Sequence, residues 1–477
     1  MRARILFLAF LALAPRGSAQ NESKLGAEFR REGEHLGGSC SSFRSALSCA
    51  EVLFTDHPLH IAVGNIAPQN GFGAGLAFVS QRNTKKWRFS LDTDAVGSNN
   101  GSWRAGVYLR AIFTPPREEQ TTEGRPTASR AVKDVSLLHP VFHVYAQAIS
   151  LNKIDYFGLG PSTMLAGRSF YGMREIIPGV NVYWPIFMPK IISLFGEVNG
   201  RLLDIRGSYG QPSPSIQQLY TDTTAPGLFS QPRFLQLGEG IRLQPKPFNG
   251  RIRLNYFVTY QQFLAPSDSR FSFQRFAADL GHEIPLYSTT RILLPRDANG
   301  PDNCSNGHTD EATMTDAEKK EADKHPPCPR VTRNREGSIN FRFLLTESFT
   351  PSGHVVPFYF QPTLGGGDIN GNPSLSSYQD YRFRAPNVML IRQSFEHSLW
   401  SLPIGFTLMA DEGKVALNRG DLGPNPWFHS FSAGLTLRAG GFPQVYLLFS
   451  WGGKEGTHTI ANVNTSLLGG AARPSLY

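Results

Sequence analysis

From Val388 to Leu468 the chain reads as a succession of two-faced strands. The stretch from Phe431 shows this best. Phe431, Ala433, Leu435 and Leu437 fall on one side, and Ser432, Gly434, Thr436 and Arg438 on the other. Alternation of apolar and polar residues with period two makes a sheet greasy on one face and wet on the other. The pattern recurs upstream. In 103–113, Trp103, Ala105, Val107, Leu109, Ala111 and Phe113 oppose Arg104, Gly106, Tyr108 and Arg110. In 251–261, Ile252, Leu254, Tyr256, Val258 and Tyr260 oppose Arg251, Arg253, Asn255, Thr259 and Gln261. In 339–346, Ile339, Phe341, Phe343 and Leu345 oppose Asn340, Arg342 and Thr346. A soluble sandwich with one face in bulk water has the same alternation, so the pattern alone leaves two architectures open.

The N-terminus narrows them. Arg2 and Arg4 precede an apolar stretch, Ile5 to Ala14, and the small residues Gly17-Ser18-Ala19. This is the order of a cleaved secretory signal, with cleavage expected before Gln20. Its apolar run is too short for a bilayer span, which takes roughly 20 residues. A secreted chain with two-faced strands along most of its length predicts an all-β fold, a transmembrane antiparallel β-barrel of the bacterial outer membrane. The expected organisation is a signal peptide over 1–19, a short periplasmic segment over 20–69 and the barrel over 70–477. The middle segment is too short for an ordinary globular domain.

Composition agrees. The mean hydropathy is −0.25 and the hydrophobic fraction 40%, which suits a barrel because only alternate residues meet lipid. The aromatic fraction of 12% suits the girdles of such a barrel. The net charge of +9 does not indicate nucleic acid, because the basic residues fall on polar strand faces and in loops. Lumenal charge accounts for it. Four cysteines form two close pairs, Cys40 with Cys49 and Cys304 with Cys328. In an oxidising compartment this spacing predicts two local disulfides. No C-x-x-C spacing points to a metal centre.

Strands are expected near 337–349, 353–361, 387–400, 403–412, 428–438, 443–452 and 457–468. Short connections at 350–353, 401–403 and 438–441 then alternate with longer ones, the asymmetry of outer-membrane barrels. On that parity the very long polar stretch 288–336 is an external loop, pinned by its disulfide. Within it Thr315-Asp316-Ala317-Glu318 has the capping-box pattern of a short helix.

Catalytic signals are absent. There is no G-x-S-x-G, P-loop or H-E-x-x-H. His139 and His143 share a strand face at i and i+4 but lack the further ligands a metal needs. Gly365-Gly366-Gly367 is followed by no helix, so it reads as a hairpin base rather than a phosphate cradle. Asp380, Asp411, Arg382 and Arg384 read as a lumenal ion-pair network. No cofactor and no metal is expected.

At 364–415 the order of segments becomes specific. Leu364-Gly365-Gly366-Gly367 leads to Tyr378, then Tyr381-Arg382-Phe383-Arg384, then Phe395-Glu396-His397, then Ala410-Asp411-Glu412-Gly413-Lys414-Val415. Together with Asp155-Tyr156-Phe157-Gly158-Leu159-Gly160-Pro161, this resembles the barrel of the bacterial surface-antigen superfamily, the BamA/TamA type. The resemblance implies a sixteen-stranded barrel with a weakly paired seam between first and last strands. It implies that the loop carrying Tyr378 folds into the lumen. It also implies a role in inserting or moving protein or lipid at the outer membrane. The implied partners are outer-membrane lipid, protein or lipid clients, and a periplasmic partner, with the barrel a monomer. Gly365, Gly366, Tyr378, Asp380, Arg382, Arg384, Asp411 and Gly413 would form the inserted-loop network.

Three departures qualify the resemblance. Family members carry an Arg-Gly-aromatic tip whose Arg meets the acid of the Asp-x-Gly strand. Here Ser376-Ser377-Tyr378 stands at those positions, so Arg382 or Arg384 is expected to pair with Asp411 or a neighbouring acid. Residues 20–70 leave no room for a periplasmic POTRA module. Pro474 interrupts the strand expected before the terminal aromatic. A passive solute channel or receptor, and an outer-membrane hydrolase, are the competing functional readings.

Overall fold

The computed structural model describes residues 59–114, 139–186, 191–207, 214–293, 331–399, 404–439, 442–463 and 474–476. Eighteen strands follow in chain order. They are β1 (Leu59–Asn65), β2 (Phe72–Asn83), β3 (Trp87–Ser98), β4 (Trp103–Phe113), β5 (Val141–Tyr156), β6 (Ser169–Ile186), β7 (Ile192–Gly207), β8 (Phe234–Leu243) and β9 (Arg253–Leu264). Then come β10 (Phe273–Leu293), β11 (Val331–Phe349), the two-residue strands β12 (Thr363–Leu364) and β13 (Phe383–Arg384), β14 (Asn387–Leu399), β15 (Ile404–Ala416), β16 (Phe428–Ala439), β17 (Phe442–Gly453) and β18 (Gly456–Val463). Sixteen of them form one antiparallel sheet in sequence order, while β12 and β13 pair only with each other. The sheet curls until β1 and β18 approach within 8 Å between Cα atoms. Among the described residues no ladder joins those two edges, although every other neighbouring pair has one.

The period-two pattern decides which side chains enter the lumen. Asp411 lies opposite Arg392 on one side and Ser430 on the other, and Ser432 lies opposite Ser450. All point inward. The intervening residues point outward and stay exposed: Val107 50%, Leu435 49%, Leu437 49%, Leu447 52%. A continuous apolar exterior of this kind has lipid, not water, as its natural solvent. Its rims are aromatic. At one end Trp87, Phe113, Phe142 and Trp184 form a cluster of ring contacts on β3 to β6. At the other lie Trp103, Phe431 and Trp451, the last two with ring centroids 6.4 Å apart. Trp103 and Phe113 are ten residue steps apart on β4. At about 3.3 Å per residue and a tilt near 40°, that spans about 25 Å, the height of a barrel's apolar band.

The structure corrects three expectations. First, 353–361 is not a barrel strand. Phe358–Phe360 is a single buried 3-10 turn, and Pro351, Pro357 and Pro362 deprive this stretch of ladder donors. The whole of 350–386 is therefore one connection, and the parity upstream reverses. The 294–330 connection leaves the barrel at the end opposite 350–386, on the side of 400–403 and 440–441, not with the longer loops. Second, the described part of the sheet begins at Leu59, ahead of the expected boundary at 70. Leu-His-Ile-Ala-Val-Gly-Asn lacks a clear polar face, so its strand character was hidden. Third, β10 and β11 reach Leu293 and Val331, shortening the loop expected over 288–336. The signal segment, Cys40, Cys49, Cys304, Cys328 and the 315–318 capping pattern lie outside the described residues.

Candidate functional site: the loop inside the barrel

The 350–386 connection folds back into the lumen and meets the inward-facing side chains of β6, β10, β15 and β16. Its neck is the β12–β13 hairpin, with Thr363 opposite Arg384 and Leu364 opposite Phe383. Gly365 and Gly366 follow with φ of 103° and 58°. A Cβ on Gly366 would lie 2.6 Å from the Asp380 backbone, so only glycine fits this crossing. On the facing wall, a Cβ on Gly413 would meet Leu364 Cδ1 at 2.7 Å. The missing side chain lets the loop lie directly on β15. Leu375 and Tyr381 hold positive φ of 44° and 60°. Strained non-glycine residues of this kind persist only where surrounding contacts over-determine them.

Those contacts are many. Arg392 of β14 grips Asp411 of β15 in bidentate fashion, Nε to Oδ1 at 2.7 Å and Nη2 to Oδ2 at 2.9 Å. The same pair holds the loop by its backbone: Arg392 Nη2 donates to Pro373 O at 2.5 Å, and Leu375 N–H donates to Asp411 Oδ2 at 2.9 Å. Ser377 N–H donates to Ser430 Oγ at 2.8 Å. Gly367 N–H donates to Asp380 Oδ1 at 2.7 Å, and Tyr381 Oη to Pro68 O at 3.1 Å. Burial pushes the Asp380 carboxyl above its ordinary range, against the opposing pull of the Gly367 N–H, Gln69, His458 and Arg168.

Arg382 pairs with Glu455, in the turn between β17 and β18, and donates to Thr163 Oγ1 at 2.7 Å and Thr163 O at 2.6 Å. Arg384 donates to Phe358 O at 2.9 Å, Gln361 O at 3.3 Å and Tyr171 Oη at 3.2 Å, while Gly160 N–H donates to Arg384 O at 2.8 Å. Tyr378 is buried, edge-on to Phe383 at 5.1 Å and Phe428 at 5.9 Å.

The residues expected in the loop network, Gly365, Gly366, Tyr378, Asp380, Arg382, Arg384, Asp411 and Gly413, thus all lie at this loop or its facing wall, but the pairing differs. Neither Arg382 nor Arg384 reaches Asp411. Arg392 takes that place, because the β14–β15 register sets it directly opposite. Sequence reasoning missed Arg392, Glu455 and Thr163. Parity held a clue to the first, since 388, 390 and 392 share the inward face. Among the described residues no group of three metal-ligating side chains exists. His143 faces Asn181, Nδ1 to Oδ1 at 2.7 Å, and His139 precedes β5 rather than sharing it.

No protein-family model and no curated protein matches the chain. Solved structures do. BamA from Haemophilus ducreyi lacking POTRA domains 1–3 aligns with 85% of this chain and 68% of its own, at 11% identity and a TM-score of 0.45. CdiB from Escherichia coli aligns with 86% of this chain and 60% of its own, at 11% identity and a TM-score of 0.45. CdiB from Acinetobacter baumannii aligns with 85% and 56%, at 11% identity and a TM-score of 0.41. The chain therefore spans little more than half the length of the last. Similarity at this level assigns no activity. The barrel reading rests on the sixteen-stranded sheet itself.

Proposed function

We propose that the chain is an outer-membrane barrel of surface-antigen type that inserts or translocates protein or lipid through its wall. The observation that carries this reading is the seam. Among the described residues, β1 and β18 meet without a ladder while the other fifteen junctions are hydrogen-bonded. Unpaired strand edges are templates for an entering strand, and a passive pore gains nothing by leaving them free. The inserted loop supports the reading, since it packs the lumen on one side and leaves the wall as the route of passage. The reading carries no catalytic group, metal or cofactor, and its partners are membrane lipid and a protein or lipid client.

The test is a pair of measurements on the purified barrel in liposomes. One follows its acceleration of the folding of an unrelated outer-membrane barrel. The other repeats this with cysteines introduced into β1 and β18 and oxidised across the seam. Acceleration lost on oxidation and recovered on reduction supports the proposal. Acceleration equal to that of empty liposomes sinks it. Large steady conductance in planar bilayers would favour the solute channel instead, a reading supported by the charged, water-accessible inner residues below the loop.

A further inference from the structure

The segment after the last strand does something a wall strand cannot. β18 ends at Val463, yet Pro474 to Leu476 lie against the tip of the inserted loop. The side chain of Asn370 holds two neighbouring residues. Its Nδ2 donates to Ser475 Oγ at 3.3 Å, and its Oδ1 accepts the Leu476 N–H at 2.8 Å. Asn370 is itself presented by a rigid turn. Asp368 Oδ1 accepts the N–H groups of Asn370 at 2.9 Å and Asn372 at 2.8 Å, and Asp368 Oδ2 accepts Asn372 Nδ2 at 3.0 Å. This is an Asx arrangement, which fixes a turn without regular secondary structure.

Leu476 is 5% exposed and belongs to the buried apolar cluster that includes Ile369 of the loop tip and the inward-facing Ala62, Ala77 and Val96 of β1 to β3. Ser475, beside it, is exposed. The Leu476 N–H goes to the Asn370 side chain and not to a neighbouring strand, so the segment is clasped by the loop tip and is not itself part of the wall. Pro474 suits the part. It removes a ladder donor and favours an extended approach, which keeps the segment out of the sheet and free to turn inward.

We propose that residues 474–476 are a built-in stopper: they seal the crevice between the loop tip and the β1–β3 wall, with Asn370 as the clamp and Leu476 as the plug. The loop fills the lumen from one end and this segment completes the seal beneath it. Withdrawing three residues would open a path along β1, beside the seam. The inference does not depend on what the barrel transports, because its readout is conductance.

The test uses the full chain in planar bilayers, compared with Asn370→Ala, Leu476→Ser and a chain lacking residues 474–477. Each variant is first checked for the heat-dependent gel shift of a folded barrel. All three are expected to conduct several-fold more than the parent. A synthetic peptide of residues 471–477, added from the side opposite the inserted loop, should close the shortened chain but not Asn370→Ala. A shortened chain that conducts like the parent overturns the proposal, as does one that opens but ignores the peptide. If the shortened chain does not fold, the two point variants decide: parental conductance in both overturns it.

Discussion

Two arginine–carboxylate pairs in the same lumen have nearly the same closest separation and opposite surroundings. Arg201 Nη1 meets Glu175 Oε1 at 2.7 Å, with both side chains at most 1% exposed. Arg342 Nε meets Asp279 Oδ1 at 2.8 Å, with 36% and 41% of the side chains exposed. The first lies in the half of the barrel occupied by the loop. There Arg201 Nε also donates to Gln236 Oε1 at 2.8 Å, and its guanidinium sits 5.7 Å from the Phe360 ring. The second lies in the half the loop leaves free. Distance alone therefore says little about what a pair is worth. What differs is the water each charge keeps when its partner is removed. In the packed half a bare charge cannot be rehydrated, and in the open half it is hydrated at once.

The largest expected effect follows directly. Glu175→Ala strands Arg201 in a dry site and should destabilise the folded barrel by about 3–5 kcal/mol, read as denaturant or thermal unfolding. Replacing both residues, Glu175→Leu with Arg201→Met, should restore most of that loss, since a well-packed apolar pair often matches a buried ionic one. If the single variant is as stable as the parent, the packed half is wet and the contrast fails.

Next comes the pair that holds the loop. Asp411→Ala leaves Arg392 unpaired and removes the acceptor of the Leu375 N–H, so the loop should become sensitive to protease and the barrel less heat-resistant. The cost should lie at or below about 3 kcal/mol, because Arg392 is 12% exposed and water can reach it. Arg382→Ala should leave the Asp411 contacts intact and act through Glu455 and Thr163. Equal loop protection in Asp411→Ala and the parent would remove this pair from the mechanism of loop seating.

A smaller effect should appear with pH. Burial raises the Asp380 carboxyl above its ordinary value, so its folded-state pKa exceeds the unfolded one. The neutral form fits the site better. That contribution is fully present below the unfolded pKa and is lost as pH rises through the folded value. Loop protection should be firmest in acid and decline as pH rises past the ordinary carboxylate range, and Asp380→Asn should flatten that decline. The dependence should be read as the difference between parent and Asn variant, which cancels the titration of other groups. A parent and variant with identical profiles would place the charge of Asp380 outside loop seating.

The smallest effect belongs to the open half. Asp279→Ala should cost no more than about 1 kcal/mol and less at high salt, as exposed pairs do. A loss as large as that of Glu175→Ala would mean that the two halves do not differ.

Much of the wall was legible before the fold. The stretches 103–113, 251–261, 339–346 and 431–438 could be divided into two faces from the sequence, and Asp411 fell on the polar face with Gly405 and Thr407. The loop's membership was expected from the resemblance carried by the segments between Leu364 and Val415, not from the spacing of its glycines. What misled was Phe358-Tyr359-Phe360. These aromatics read as strand, yet they lie in a 3-10 turn packed within the lumen, edge-on to Tyr156, Tyr171 and Phe234. That single error displaced the 294–330 connection to the wrong end of the barrel. A run of aromatics is equally at home on a lipid face and in a packed core, and only the surrounding prolines distinguished them.

The sequence by itself determined the barrel wall, because a two-faced strand is a local property: period two repeats within each segment and needs no knowledge of its neighbours. Tertiary structure alone decided the partners. Arg382, Arg384 and Arg392 all precede Asp411 in the stretch that leads to it. The β14–β15 register brought one opposite and sent the others to Glu455, Thr163 and the Phe358 carbonyl. The turn of 474–476 toward Asn370 was likewise beyond any periodicity. Both are contacts between inward-facing groups, and their choice depends on strand register and on which surfaces the closing sheet deprives of water.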